Sequence, residues 1–303
     1  MSVTIVGTVA LDTIETPVGK HERILGGSAT FAGTAASIFS NTSLVSIVGK
    51  DFPQSHIDYF KNRNINIDGI EMAEGNTFHW SGYYKDDMNQ AYTVATELNV
   101  LLDFDPVVPE SAKNTKIAFL ANVDPVLQKK AIEQFNSPDL VILDSMNFWI
   151  ENNVEQLKDT LKLVDVLIIN DQEIRLLTGI KNIIEAMPKI LEMGPKRIIV
   201  KKGEHGSIMF NGKDYFICPA FPLEKLVDPT GAGDSFAGGF SGYLAQADNL
   251  DEETFKKAVI VGALVSSFTV QGFSLETLKN LTKDQLNEKY EKLKNFTTFP
   301  NKI

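Results

Sequence analysis

The chain has 303 residues, is 43% hydrophobic and holds one cysteine, the composition of a globular protein with a single large core. A formal net charge of -10 and a pI near 5.0 exclude a nucleic-acid backbone or an anionic membrane as its general partner, because the average surface would be repelled by either. Cys218 has no partner for an intrachain disulfide, the start MSVTIVGTVALDTI lacks a basic leader, and no 18 consecutive residues are apolar. A cytoplasmic location is therefore expected, and the Asn-x-Ser/Thr triplets at Asn41, Asn280 and Asn295 then carry no glycosylation meaning.

In chain order, strands are predicted at 4–7, 44–49, 116–122, 140–145, 164–170 and 197–202. The runs IAFLAN, LVILDS, DVLIIN and RIIVKK are apolar almost throughout rather than alternating, as parallel strands covered on both faces should be. Helical spacing falls between them, at 28–40, at 53–62 behind a proline suited to a first turn, and at 124–135, 151–163 and 183–193. Three more helices are predicted at 235–247, 252–270 and 283–293. Strand and helix in alternation, joined by short connections, predict a three-layer α/β/α domain around a mostly parallel sheet. The rhythm breaks between 64 and 102, where NINIDGI, TFHWSGYY and YTVATEL read as strands without helices and concentrate Trp80, Tyr83, Tyr84 and Tyr92. We read one domain over 1–303, with a small β-sheet lid inserted at roughly 12–24 and 64–102.

The densest motif is DPTGAGDSFAGGF, from Asp228 to Phe240. Asp-Pro-Thr-Gly favours a turn and Ser235, Phe236, Phe240, Tyr243 and Leu244 keep a helical spacing, so Gly231, Ala232 and Gly233 stand where a loop enters a helix. Unpaired N–H groups and the aligned peptide dipoles make such an entrance an anion site. A carboxylate beside it would repel a phosphate, so Asp234 needs another task, and taking a proton from an attacking hydroxyl fits. With an ordinary pKa of about 3.9 it would be ionised at neutral pH. The plainer reading is a dipole partner at Asp234, with Gly238, Gly239 and Gly242 serving close helix packing.

Two established phosphate motifs fail. No G-x-x-x-x-G-K-[ST] occurs, and Phe236 stands where a dinucleotide fingerprint needs its third glycine. Asn170-Asp171-Gln172-Glu173 ends a central strand, at the sheet edge where open α/β proteins bind ligands. Asn170 and Glu173 could there hold a hydrated Mg²⁺ and triphosphate oxygens, and the same residues also make an ordinary helix cap. Gly26 and Gly27 open the first helix and, with Asp12 at the end of the first strand, could face a polyol; a tight turn is the simpler use. Lys201, Lys202 and Gly203 follow another central strand, where a lysine could face phosphate or merely be solvated. His21, His56, His79 and His205 show no metal spacing, no G-x-S-x-G elbow is present, and the aromatics around Trp80 could cover a substrate or pack the lid.

These residues resemble the ribokinase-like (PfkB) carbohydrate kinase family: DPTGAGDSFAGGF its C-terminal signature, GGSATFAGTAAS its N-terminal glycine signature, and NDQE its N-x-x-E motif, in family order over nearly the whole chain. The resemblance implies transfer of the γ-phosphoryl group of ATP to a hydroxyl, with Mg²⁺ as cofactor. Asp234 would be the base, and Gly231, Ala232 and Gly233 the anion hole. Asn170 and Glu173 would manage Mg²⁺, with Lys202 and Gly203 at the nucleotide, and Asp12 with Gly26 and Gly27 would hold the acceptor. It further implies K⁺ near Asp228 and Thr230, and a homodimer through the lid. One departure concerns specificity. Four residues after the second glycine of the pair, where ribokinase-type chains carry a sugar-binding asparagine, stands Phe31, which cannot hydrogen-bond a hydroxyl but could stack on a base or pack against the lid. Asn122, Asp144 and Asn147 follow central strands and could complete the pocket. The expected acceptor is a small sugar or sugar-like alcohol; the alternatives are a nucleoside, or a non-catalytic sensor on the same fold.

Overall fold

The structure is a computed structural model, and it describes residues 2–298. Its strands are β1 Ser2–Val6, β2 Ala10–Thr16, β3 Gly19–Gly26, β4 Asn41–Gly49, β5 Ile65–Ala73, β6 His79–Tyr84, β7 Ala91–Glu97, β8 Ile117–Leu120, β9 Leu140–Asp144, β10 Val166–Asn170, β11 Arg197–Lys201, β12 Ser207–Phe210 and β13 Tyr215–Cys218. The helices are α1 Ser28–Ala36, α2 Gln54–Asn62, α3 Glu110–Lys113, α4 Pro125–Ile132, α5 Asn147–Asn152, α6 Val154–Leu161, α7 Asp171–Thr178, α8 Ile183–Leu191, α9 Ala232–Gln246, α10 Glu252–Thr269 and α11 Lys283–Thr297. None of the described helices is long and apolar enough to cross a membrane.

Nine strands form one sheet in the order β13-β12-β11-β10-β9-β8-β1-β4-β5. All neighbours from β5 to β11 are parallel, and β12 and β13 close the far edge antiparallel. The central strands alternate between two cores, as the pleat requires. Ile117, Phe119, Ile142 and Ile168 face one core with α1, α2, α9, α10 and α11. Ala118, Leu120, Leu143 and Leu167 face the other with α3 to α8. Both faces are covered, which is why these strands read as continuous apolar runs.

The second sheet, the lid, has the order β3-β2-β6-β7. Its outer pairs are antiparallel, and β2 meets β6 in parallel. Its extent corrects the sequence reading. Asn64 to Ile70 was assigned to the lid, yet β5 pairs with β4 as the edge of the main sheet. An edge strand is half solvated, and its mixed burial makes it read like a lid strand. Asp12 is likewise inside β2, in the lid, and does not end the first strand. The helix predicted over 151–163 is two helices, broken at Asn153.

Helices α1 and α9 cross at backbone distance. A Cβ on Gly238 would come within 2.2 Å of Ala32 O, and one on Gly242 within 2.7 Å of the Ala36 Cα. Close packing is therefore the use of these glycines. Gly238→Ala gains roughly 1 kcal/mol of helix propensity but overpacks a rigid contact at a cost of up to about 3 kcal/mol. We expect a net loss of about 2 kcal/mol in urea unfolding; a variant as stable as the parent would mean that the two helices can part.

Candidate active site

The phosphate-binding candidate is built by the entrance to α9. Gly231 is its N-cap in the left-handed conformation (φ 75°), and a Cβ there would lie 2.4 Å from the ring of Phe31. Only glycine satisfies both demands. Among the described residues no hydrogen bond uses the N–H of Gly231 or Gly233, so both remain as donors, whereas Ala232 N–H turns back to Pro229 O at 3.2 Å. The contact with Gly231 also accounts for Phe31. It is 1% exposed in the core that joins α1 and α9, so it offers no face on which a base could stack.

Asp234 sits in the first turn of α9, half-buried. Burial and the nearby charge of Asp144 push its pKa up to about 7, against the pull of Lys201. The expectation of a fully ionised acid at neutral pH is thus corrected: desolvation outweighs the lysine, and the carboxyl is poised near pH 7, where a general base works best.

Asp12 approaches from the lid. Its Oδ2 occupies the space beside Gly26, where a Cβ would come within 1.9 Å, and its Oδ1 is buried without a partner. Gly27, with φ 94° and Thr8 O packed against its missing Cβ, turns the chain from β3 into α1. Burial raises the Asp12 pKa to about 7; the backbone N–H groups of Trp80 and Gly27 oppose this, and Asp234 and Asp228 add to it. The orphaned oxygen has hydrogen-bonding capacity that nothing in the protein uses among the described residues. Asn122 is anchored nearby: its Oδ1 accepts from Trp149 Nε1 at 2.8 Å, its Nδ2 donates to Met146 Sδ at 3.0 Å, and its carbonyl accepts from Ser28 Oγ.

Asn170 and Glu173 form a complete capping box on α7. Asn170 Oδ1 accepts from the N–H of Gln172 and Glu173 at 2.9 and 2.8 Å, and Glu173 Oε2 accepts from Asn170 N–H at 2.7 Å. The ordinary cap is therefore real. Glu173 Oε1 stays outside it, and burial lifts the acid to about 7 against the pull of Lys201.

The basic group of the site is Lys201 rather than Lys202. Lys201 lies on the α9 side of β11; its Nζ donates to Asp144 at 3.1 and 3.3 Å and stands 2.9 Å from where a Gly233 Cβ would be. Burial opposes its charge, but Asp144, Glu173 and Asp234 together push its pKa up. Lys202 lies just past the strand, beside Gly203 in an open turn. The strand register could have told the two lysines apart: Ile199 faces the α9 core, so Lys201 does and Lys202 does not. On the loop before α9, Asp228 is buried, its Oδ1 accepts from Thr230 N–H at 2.9 Å, and its Oδ2 has no partner.

This geometry can be set beside known proteins. The description of the pfkB family carbohydrate kinases matches residues 3–280. The chain belongs to this family. It is 25% identical to the cytidine kinase of Thermococcus kodakarensis over 83% of this chain and 91% of that protein. It is 28% identical to the nucleoside kinase of Methanocaldococcus jannaschii over 96% of this chain and 97% of that protein. A crystal structure of the M. jannaschii nucleoside kinase superposes with a TM-score of 0.78, covering 96% and 98% of the two chains at 24% identity. The fold is the ribokinase fold, and the protein is a sugar or nucleoside kinase.

Three site acids, Asp12, Glu173 and Asp234, thus keep their protons to about pH 7, far above unfolded values near 4. A raised folded-state pKa contributes stability in full below about pH 4, and that contribution is lost as pH rises through 7. The nucleotide-free kinase should melt at progressively lower temperature from pH 4 to 8 on this account. Asp234→Asn, neutral throughout, should melt above the parent at pH 8 and level with it at pH 4, as followed by circular dichroism. Melting below the parent at pH 8 would mean that the folded state stabilises the carboxylate.

Proposed function

We propose that the kinase transfers the γ-phosphoryl group of ATP to a ribose hydroxyl of a nucleoside. The observation that carries this reading is the meeting of two helix entrances. One offers free amides beside Asp234, and against the glycine pair that leads into the other lies the unpartnered buried oxygen of Asp12, from the lid. Asp12 would fix the acceptor, and Asp234 would take its hydroxyl proton as the oxygen–phosphorus bond forms and the bond to the leaving ADP breaks. The N–H groups of Gly231 and Gly233 would meet the charge on the moving phosphoryl oxygens. Lys201, kept charged by Asp144, would counter the remaining phosphate charge.

A Mg²⁺ ion would arrive on the nucleotide with most of its own waters. Glu173 Oε1 and the Asn170 corner would hold Mg²⁺ through water, and the ion would supply charge neutralisation across the phosphates. The nucleotide would lie along Asn170, Glu173, Lys202 and Gly203, at the carboxyl ends of β10 and β11. A monovalent cation would fit the orphaned Oδ2 of Asp228 beside Thr230.

Two features favour a nucleoside over a small free sugar. The cytidine and nucleoside kinases named above match most of this chain, and position 31 lacks the amide by which ribokinase-type chains hold a bare sugar. ADP release should therefore be measured over cytidine, other nucleosides, ribose and fructose. Nucleosides should turn over fastest, with kcat/KM rising with pH to a plateau above about 7 as Asp234 ionises, and Asp234→Asn should lose roughly 100- to 10,000-fold. Turnover of free sugars alone would overturn the acceptor class; binding without turnover would reveal a sensor.

A further inference from the structure

Tyr84 is used by nothing described so far, yet it occupies the joint between lid and phosphate loop. It ends β6, and its ring packs with Ile24 and Trp80 of the lid in a small apolar cluster of Ile14, Val227 and Phe273. Its phenol oxygen accepts a hydrogen bond from Thr230 Oγ1 at 3.2 Å. Among the described residues this is the sole hydrogen bond between the lid strands and residues 227–234. Thr230 is itself held at its N–H by Asp228 Oδ1, Asp228 N–H rests on Val270 O at 3.3 Å, and the next residue is the Gly231 cap. A path of one hydrogen bond and one peptide thus runs from the lid to the first free amide of the anion site.

The cluster needs only the ring, and phenylalanine would fill the same space. The hydroxyl is therefore a separable addition, and in a half-buried position a polar group without purpose is a cost. Burial, with Asp228, Asp12 and Asp234 close by, raises its pKa far above neutrality, so the group acts as a neutral phenol. Its one hydrogen bond among the described residues is the one it accepts from Thr230.

We infer that Tyr84 is a positioning residue through which the seated lid fixes Thr230, and with it the amides of Gly231 and Gly233, for phosphoryl transfer. The effect on turnover rests on the kinase reading above; the contact itself does not. Binding of the acceptor under the lid would then order the loop that receives the phosphate, so both substrates would be required before the amides align.

The test is a double-mutant cycle in the full-length protein with Tyr84→Phe and Thr230→Val, read by steady-state kinetics, thermal melting and amide hydrogen exchange of 229–234. Tyr84→Phe should lower kcat about three- to tenfold, move each KM by less than about twofold, leave the melting temperature nearly unchanged, and speed exchange across the loop by a similar factor. The double variant should be no slower than Thr230→Val alone. An unchanged kcat, losses that multiply, or a melting loss large enough to explain the kinetics would each overturn the assignment. If the parent turns over no acceptor, the kinase reading fails and exchange decides alone: faster in Tyr84→Phe supports the link, unchanged sinks it.

Discussion

The close crossing of α1 and α9 is the constraint on which the site depends. Where the two helices meet, Gly238 and Gly242 leave no room for a Cβ against Ala32 and Ala36. Helices that touch at backbone distance bring their starting turns side by side, and each of these begins on a glycine at positive φ, Gly27 and Gly231. Phe31 joins the two ends, since a residue of the first turn of α1 carries the ring that underlies the cap of α9. Two dipole-bearing entrances thus open on one place. A single such entrance makes an anion site; two can hold an acceptor against the group it is to receive.

Electrostatics follows from this packing. Asp144, Glu173 and Asp234 act on one ammonium, that of Lys201, and Asp12 and Asp228 bring two further buried carboxyls whose charges act on one another and, for Asp12, on Asp234. A protein selected for stability alone would not gather carboxyls in this way, because each charged form is penalised by burial and by its neighbours. The penalty becomes useful once cations and phosphates enter, and shifts of this size in a cleft are typical of groups that move protons.

Much of the architecture was legible in the residues. Unbroken apolar runs located the central strands because burial on both faces removes the polar half of the pattern, and the glycine and asparagine motifs fell at helix entrances because positive φ and capping chemistry admit few other residues. What stayed hidden depended on neighbours distant in sequence. Half-solvated β5 looks the same whether it borders the main sheet or the lid, and the break at Asn153 is local geometry that helix spacing does not encode. Phe31 was noticed for the amide it lacks, but its burial required knowing that α9 crosses there. The protonation of Asp234 is a property of the assembled pocket, and no tally of acids along the chain contains it.

The lid is stitched from two distant stretches of chain, 10–26 and 79–97, and joined through the parallel contact of β2 with β6. Each stretch is a two-stranded hairpin and the four-stranded sheet needs both, so this cover cannot be excised as one cassette or transplanted by one insertion. Its inner border is also shared, since β3 ends at Gly26 and α1 starts at Ser28 with only Gly27 between them. The cover also joins the body through 7–9, 74–78 and Leu98, so a swing about Gly27 flexes those connections too and carries Asp12 with it past the start of α1.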